Sequence, residues 1–128
     1  MYVGGAFDTA DETAASRIAK WDGSAWSALG SGMNNPVSEL AVDGAGNLYA
    51  GGEFTMADGN AANFVAKWNG SSWSALGSGM NNSVFALAVD GEGNLYAGGW
   101  FTTAGGTAAN RIAKWDGSAW SALGSGMN

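Results

Sequence analysis

Residues 84–89, VFALAV, are apolar at every position. An alternating strand puts Val84, Ala86 and Ala88 on one face and Phe85, Leu87 and Val89 on the other, so this strand, A, expects cover on both sides. The cluster DGEGN at 90–94 is rich in residues that accept positive φ and reads as a turn. Residues 95–101 (LYAGGWF) form strand B, TTAGGTAAN is a small-residue loop, and residues 111–115 (RIAKW) form strand C. Asp116-Gly117 is a hairpin signal, and the primed turns it favours match strand twist. Residues 120–123 (WSAL) form strand D, and GSGMN follows. No segment sustains a helical period. Short strands separated by turn signals predict an all-β fold.

The pattern recurs. Tyr2, Tyr49 and Tyr96 are 47 residues apart, and so are Trp21, Trp68 and Trp115, then Trp26, Trp73 and Trp120, then Met33, Met80 and Met127. Residues 2–34 and 96–128 differ at six of 33 positions, and 49–81 and 96–128 at eight, a likeness that points to recent duplication or deliberate construction. A four-stranded unit repeated radially gives each sheet a neighbour on either side, as strand A requires. The predicted architecture is therefore a β-propeller with blades of four antiparallel strands. The tryptophans of strands C and D supply much of the blade-to-blade packing.

An aliphatic strand ending in Gly-Gly (Leu48-Tyr49-Ala50-Gly51-Gly52) is followed by an aromatic on the third strand, Trp68, and by Trp73 a few residues on. In these features the repeat resembles the kelch repeat of β-propellers, over all three copies. It departs in carrying Trp where kelch repeats usually have Tyr, and in a tighter C–D turn. The period matches the blade length of tachylectin-like five-bladed lectins. The chain also looks like the highly repetitive propeller arrays of bacterial surface proteins, which implies an extracellular or cell-surface parent protein. The kelch resemblance implies that strand A is innermost. It does not fix a function.

The strand order is BCD, ABCD, ABCD: an incomplete blade at 1–34 and full blades at 35–81 and 82–128. The first blade lacks the strand nearest the axis. Rings typically take 4–8 blades, so three are too few, and bare apolar faces associate. The expectation is a homo-oligomer whose ring closes only by association, a dimer of about six blades with two-fold symmetry being the simplest form. Each chain has two A strands for three BCD sets, so no partner has one to spare. Three-stranded blades, re-pairing of a C-terminal segment and a place within a longer array are the alternatives, and the open edge invites strand addition.

Differences between the copies gather on one rim, where the B–C and D–A loops of an up-down blade emerge together. Strand B ends at Ala6, Glu53 and Trp100, the next loop carries Asp11, Asp58 and Gly105, and the start of strand A differs at Ser38 and Phe85. Trp100, Glu53, Asp58 and Phe85 are the candidate ligand-binding residues, with Trp100 a platform for a sugar or peptide. Neutral drift in exposed loops is the competing explanation. Asp90, Glu92 and Asn94 alternate as the first oxygen ligands of a calcium loop do, but Ala45 breaks the series and no acidic closing residue follows, so a plain A–B turn is the reading. Asn69-Gly70-Ser71 and Asn81-Asn82-Ser83 match the glycosylation sequon. The first stands where the sister copies have Asp, and reads as turn chemistry. Met33, Met80 and Met127 read as core filling.

Composition narrows the function classes. His and Cys are absent, and with them disulfides, thiol chemistry and the commonest zinc, copper and iron ligands, so no metal or cofactor is expected. Serine is abundant but has no base beside it, and Asp11 and Glu12, adjacent on a loop in one copy, do not make a glycosidase pair. No enzyme is expected. Net charge is −6, with Arg17, Lys20, Lys67, Arg111 and Lys114 dispersed, which argues against nucleic acid and anionic membrane as partners. No apolar run approaches the ~20 residues of a membrane span, and MYVGGAFD lacks the features of a signal peptide. The leading expectation is a structural, self-assembling propeller segment. The second is a carbohydrate- or peptide-binding, lectin-like module using one rim.

Overall fold

The computed structural model describes residues 2–6, 9–10, 13–14, 17–124 and 126. Asp11, Glu12 and Met127 lie outside them. Every element among the described residues is a strand or a turn. The first unit contains β1 (Tyr2–Gly4), the short β2 (Thr9–Ala10) and β3 (Thr13–Ala14), β4 (Ile18–Trp21) and β5 (Trp26–Ala28). The second contains β6 (Val37–Val42), β7 (Leu48–Gly52), the short β8 (Met56–Ala57) and β9 (Asn60–Ala61), β10 (Val65–Trp68) and β11 (Trp73–Ala75). The third contains β12 (Val84–Val89), β13 (Leu95–Gly99), β14 (Thr103–Ala104), β15 (Thr107–Ala108), β16 (Ile112–Trp115) and β17 (Trp120–Ala122).

The longer strands build three antiparallel sheets, β1-β4-β5, β6-β7-β10-β11 and β12-β13-β16-β17, and the short ones pair as two-stranded ladders, β2-β3, β8-β9 and β14-β15. The arrangement is compatible with consecutive propeller blades. The first sheet has three strands, and β1 is its edge. Successive blades approach most closely along one side, where β12 lies against β6 and β7, and β6 against β1.

The outer hairpins follow from local chemistry. Trp21 stands opposite Trp26, Trp68 opposite Trp73, and Trp115 opposite Trp120. Their rings tilt at about 50° with centroids 5.2–5.4 Å apart, a favourable offset for two quadrupoles. Between each pair the turn is closed by a side chain. Asp22 Oδ1 accepts hydrogen bonds from the backbone N–H of Ser24 and Ala25 and from the Ser24 hydroxyl, and Asn69 and Asp116 repeat the arrangement. Only the glycines of these turns, Gly23, Gly70 and Gly117, have positive φ. A type I′ turn needs positive φ at both central residues, so these are carboxamide- or carboxylate-capped four-residue loops rather than the primed turn that Asp-Gly suggests.

Three further expectations are corrected. Arg111 does not belong to strand C: its φ is 67°, as it is 68° at Arg17 and 69° at Phe64, and β16 starts one residue later. The small-residue loop contains a two-residue ladder, Thr103–Ala104 against Thr107–Ala108, with Gly105 and Gly106 at positive φ between them. Strand A does not alternate strictly. A register shift between Val84 and Ala86, mirrored between Val37 and Glu39, turns Val84 and Leu87 to the same side. Both face Gly51 of the preceding blade, while Ala86 faces the other way, beside Gly98.

The cores lie between blades. One cluster joins Ile18, Leu29 and Met33 of the first blade to Leu48, Phe54, Trp68 and Trp73 of the second. The other joins Tyr49, Val65, Leu76 and Met80 of the second to Leu95, Phe101, Trp115 and Trp120 of the third. Each buried tryptophan removes 150–250 Å² from water, roughly 4–6 kcal/mol of gross hydrophobic stabilisation as an upper bound. The indole N–H of the tryptophan on the last strand of a blade is not stranded: Trp73 Nε1 donates to the Leu29 carbonyl and Trp120 Nε1 to that of Leu76, both at 2.8 Å.

Glycine at the end of strand B lets the next blade close in. A Cβ at Gly51 would sit 2.6 Å from Val84 Cγ1, and Val84 is stiff and fully buried. A Cβ at Gly98 meets nothing nearer than 3.7 Å. Gly51→Ala should therefore cost about 1–3 kcal/mol, and Gly98→Ala should stay within about 0.5 kcal/mol of the parent. Urea denaturation of both variants checks this, and equal effects would contradict the packing described.

Candidate functional site

The rim where the copies differ is built from two blades at a time. The D–A connection of one blade reaches the B–C loop of the next through isolated bridges, Met33 to Ala57 and Met80 to Ala104. Asn34 fixes the first junction: its Oδ1 accepts from the N–H of Thr55 and Met56, and its Nδ2 donates to Thr55 Oγ1. Asn81 does the same with Thr102 and Thr103. The sequon asparagine at 81 is thus a bracket between blades, and the one at 69 is a turn cap. Met33 and Met80, both 3% exposed, fill the core under these brackets.

The four candidate ligand residues fare differently. Trp100 and Phe85 come together. They lie on adjacent strand ends, with the Trp100 N–H donating to the Ser83 carbonyl, and their rings meet edge to face with centroids 6.2 Å apart. Trp100 is 61% exposed and Phe85 42%, so the pair stands at the surface. The second blade has Glu53 and Ser38 at the equivalent places, both exposed. Asp58 does separate work. Its Oδ1 accepts from the Ser31 N–H and hydroxyl, each at 2.8 Å, and its own N–H donates to Gly32 O. Those bonds, the backbone one first, hold the Asp58 carboxyl below the ordinary value. Asp58 therefore clasps the second blade to the first, and it adopts φ 53° to do so. Gly105 occupies the place in the third blade. This clasp and the asparagine brackets were missed in the sequence. Their one visible signal is the recurrence of Met-Asn after every GSG.

On the opposite rim the spacing that suggests calcium is a closed turn. Asp90 Oδ1 accepts from the N–H of Glu92 and Asn94, and Oδ2 from Asn94 Nδ2 and the Tyr96 hydroxyl. Asp43 makes the same set with Ala45, Asn47 and Tyr49. Both carboxylate oxygens are engaged within the hairpin. Among the described residues no group of three or more His, Cys, Asp or Glu side chains is placed to hold a metal.

The Asn94 side chain and backbone N–H lead the interactions that hold Asp90 at about 2, against an ordinary 3.8. Partial burial opposes ionisation of Asp43, and the bonds from Asn47, Ala45 and Tyr49 outweigh it, so it too lies low. Asp22 and Asp116 are lowered by the N–H groups of their own turns. A depressed folded value means that the stabilisation is fully present above the ordinary carboxylate value and is lost as the pH falls through the folded one. The denaturant midpoint should hold constant from pH 7 to about 5, then fall between about 4 and 2. Asp90→Asn combined with Asp43→Asn should flatten part of that fall, whereas a midpoint that stays level down to pH 2 would refute the assignment. No family model, curated protein or solved structure matches this chain, so its function has to be read from these residues alone.

Proposed function

We propose that the chain is a self-assembling β-propeller segment that joins further copies of itself through its outer blade faces and works by association rather than catalysis. One observation carries the reading: positions buried at both internal junctions are uncovered on the two outer faces. Leu29 and Leu76 are 3% and 2% exposed, and their counterpart Leu123 is 36% exposed. Ile18 and Val65 are fully buried, and Ile112 is half-exposed. Tyr49 is buried and Tyr96 is not. On the other side Trp68, Trp73, Trp115 and Trp120 are buried, and Trp21 and Trp26 are partly exposed.

The two faces are complementary halves of a junction that the chain already makes twice. Applied head to tail, the same packing sets Trp26 of one copy against Leu123 of the next, with the indole N–H donating to the leucine carbonyl. Two copies would supply six blades, inside the usual range of 4–8, and the junction would occur twice around a two-fold axis. Light scattering should find a species at twice the chain mass of 12.9 kDa or a higher multiple. Trp26→Arg and Leu123→Arg, both on uncovered faces, should each return it toward the single-chain mass. A monodisperse parent at 12.9 kDa would overturn the proposal.

The exposed pair of Trp100 and Phe85 favours a second reading, a carbohydrate- or peptide-binding module on the variable rim, with Glu53 one blade away. A sugar face stacking on Trp100 should quench its fluorescence. Titration with simple sugars to millimolar concentration checks this, with Trp100→Ala as the comparison, and no saturable change would remove the reading.

A further inference from the structure

The head-to-tail junction proposed above differs from the internal ones in one respect, and this inference rests on that reading. At the internal junction, β12 is hydrogen-bonded to β13 of its own blade and packs on β7 and β6 of the blade before. Val84 fills the hollow over Gly51, and Leu87 lies beside it at 3.4 Å from the position of a Cβ there. At the outer junction the first blade has no strand hydrogen-bonded to the outer side of β1 among the described residues.

Two hollows mark that place. Beside β1, a groove of about 290 Å³ is lined by Tyr2, Gly4, Ser38, Glu39 and Leu40. On the outer face of the third blade, a hollow of about 220 Å³ is lined by Ala86, Ala88, Tyr96, Ala97, Gly98 and Ile112. Gly98 is the counterpart of Gly51, and no side chain of another blade enters its hollow. Placing one copy after another in the internal geometry brings the groove of one and the hollow of the other to opposite sides of a single space. That space has a free strand edge along its length.

We infer that two copies joined head to tail form a composite binding slot for one extended peptide strand of the pattern Val-x-x-Leu-x-Val. The pattern is that of residues 84–89 and 37–42, VFALAV and VSELAV. The chain's own ladder supplies the register. Val37 stands opposite Gly52, Glu39 opposite Gly51, Leu40 opposite Ala50 and Ala41 opposite Tyr49. By the same offsets the peptide's valine stands opposite Gly5, its leucine opposite Val3 and the following residue opposite Tyr2. Backbone hydrogen bonds to β1 give affinity. The valine and leucine, three apart because of the bulge, enter the Gly98 hollow of the neighbouring copy and give selectivity. The second of the two residues between them, the counterpart of Ala86, stands opposite Gly4 and faces the groove beside Gly4 and Leu40. Neither copy alone provides both walls.

The test uses the 128-residue chain and an acetylated, amidated 13-residue peptide with the sequence of residues 82–94, NSVFALAVDGEGN. Binding is followed by calorimetry, with the mass measured by light scattering in the same samples. Saturable binding of one peptide per chain is expected. The same peptide carrying Val84→Asp and Leu87→Asp should bind at least tenfold more weakly. Gly98→Val in the chain has room for its side chain and fills the hollow from within, so it should weaken peptide binding at least tenfold with mass and melting midpoint unchanged. An associated chain that binds no peptide overturns the slot and leaves the head-to-tail reading standing. A chain that stays at the single-chain mass with and without peptide overturns both. Peptide binding that neither substitution weakens shows that the β1 edge alone suffices and overturns the composite slot.

Discussion

Side-by-side burial of blades is the interaction on which everything else rests. A four-stranded sheet of this repeat has two apolar faces and no core of its own. Both hydrophobic clusters draw on two successive blades, and the largest side chains in them, the tryptophans of the outer hairpins, point across the junction rather than into their own sheet. The indole N–H groups of Trp73 and Trp120 reach the leucine carbonyl of the blade before, so even the polar parts of the core are satisfied across the junction. A blade without a neighbour leaves apolar area and polar partners uncovered together.

The same constraint explains the glycines and the rim. Backbone at Gly4 and Gly51 must be bare for Val37 and Val84 to approach, which ties strand B of each blade to strand A of the next. The D–A connection must reach the following B–C loop, and Asn34 and Asn81 hold it there. Much of the rim that carries the variable loops is therefore joinery. What the third blade adds to it is the surface pair of Trp100 and Phe85, which braces no junction.

Much of this was legible in the chain. Three units, strands in the order BCD, ABCD, ABCD and paired tryptophans followed from a 47-residue period and from the alternation of apolar runs with turn residues. The apolar run VFALAV predicts cover on both faces of strand A, and the structure departs from it: Phe85, Ala86 and Ala88 are exposed, as are Ser38, Glu39 and Val42 of β6. The bulge at Val84 and Ala86 was not legible, because a register shift leaves no mark on a strand that is apolar throughout. The short ladder at Thr103 and Thr107 was hidden because Thr and Ala fit loops and strands alike. Arg111 lay outside strand C for a backbone reason, a left-handed φ that its side chain does not advertise. Of the candidate site, the neighbourhood of Trp100 and Phe85 followed from their places at the end of B and the start of A. The role of Asp58 did not, since its partner Ser31 is 27 residues away on another blade.

If the outer blade faces join copies as proposed, part of the stability resides between chains and depends on how many chains are present. Urea denaturation at two chain concentrations a hundredfold apart tests this directly. Mass action predicts a higher midpoint in the concentrated sample, by an amount equivalent to about 2.7 kcal/mol for a folded dimer with an unfolded monomer. Superimposable curves would contradict the account.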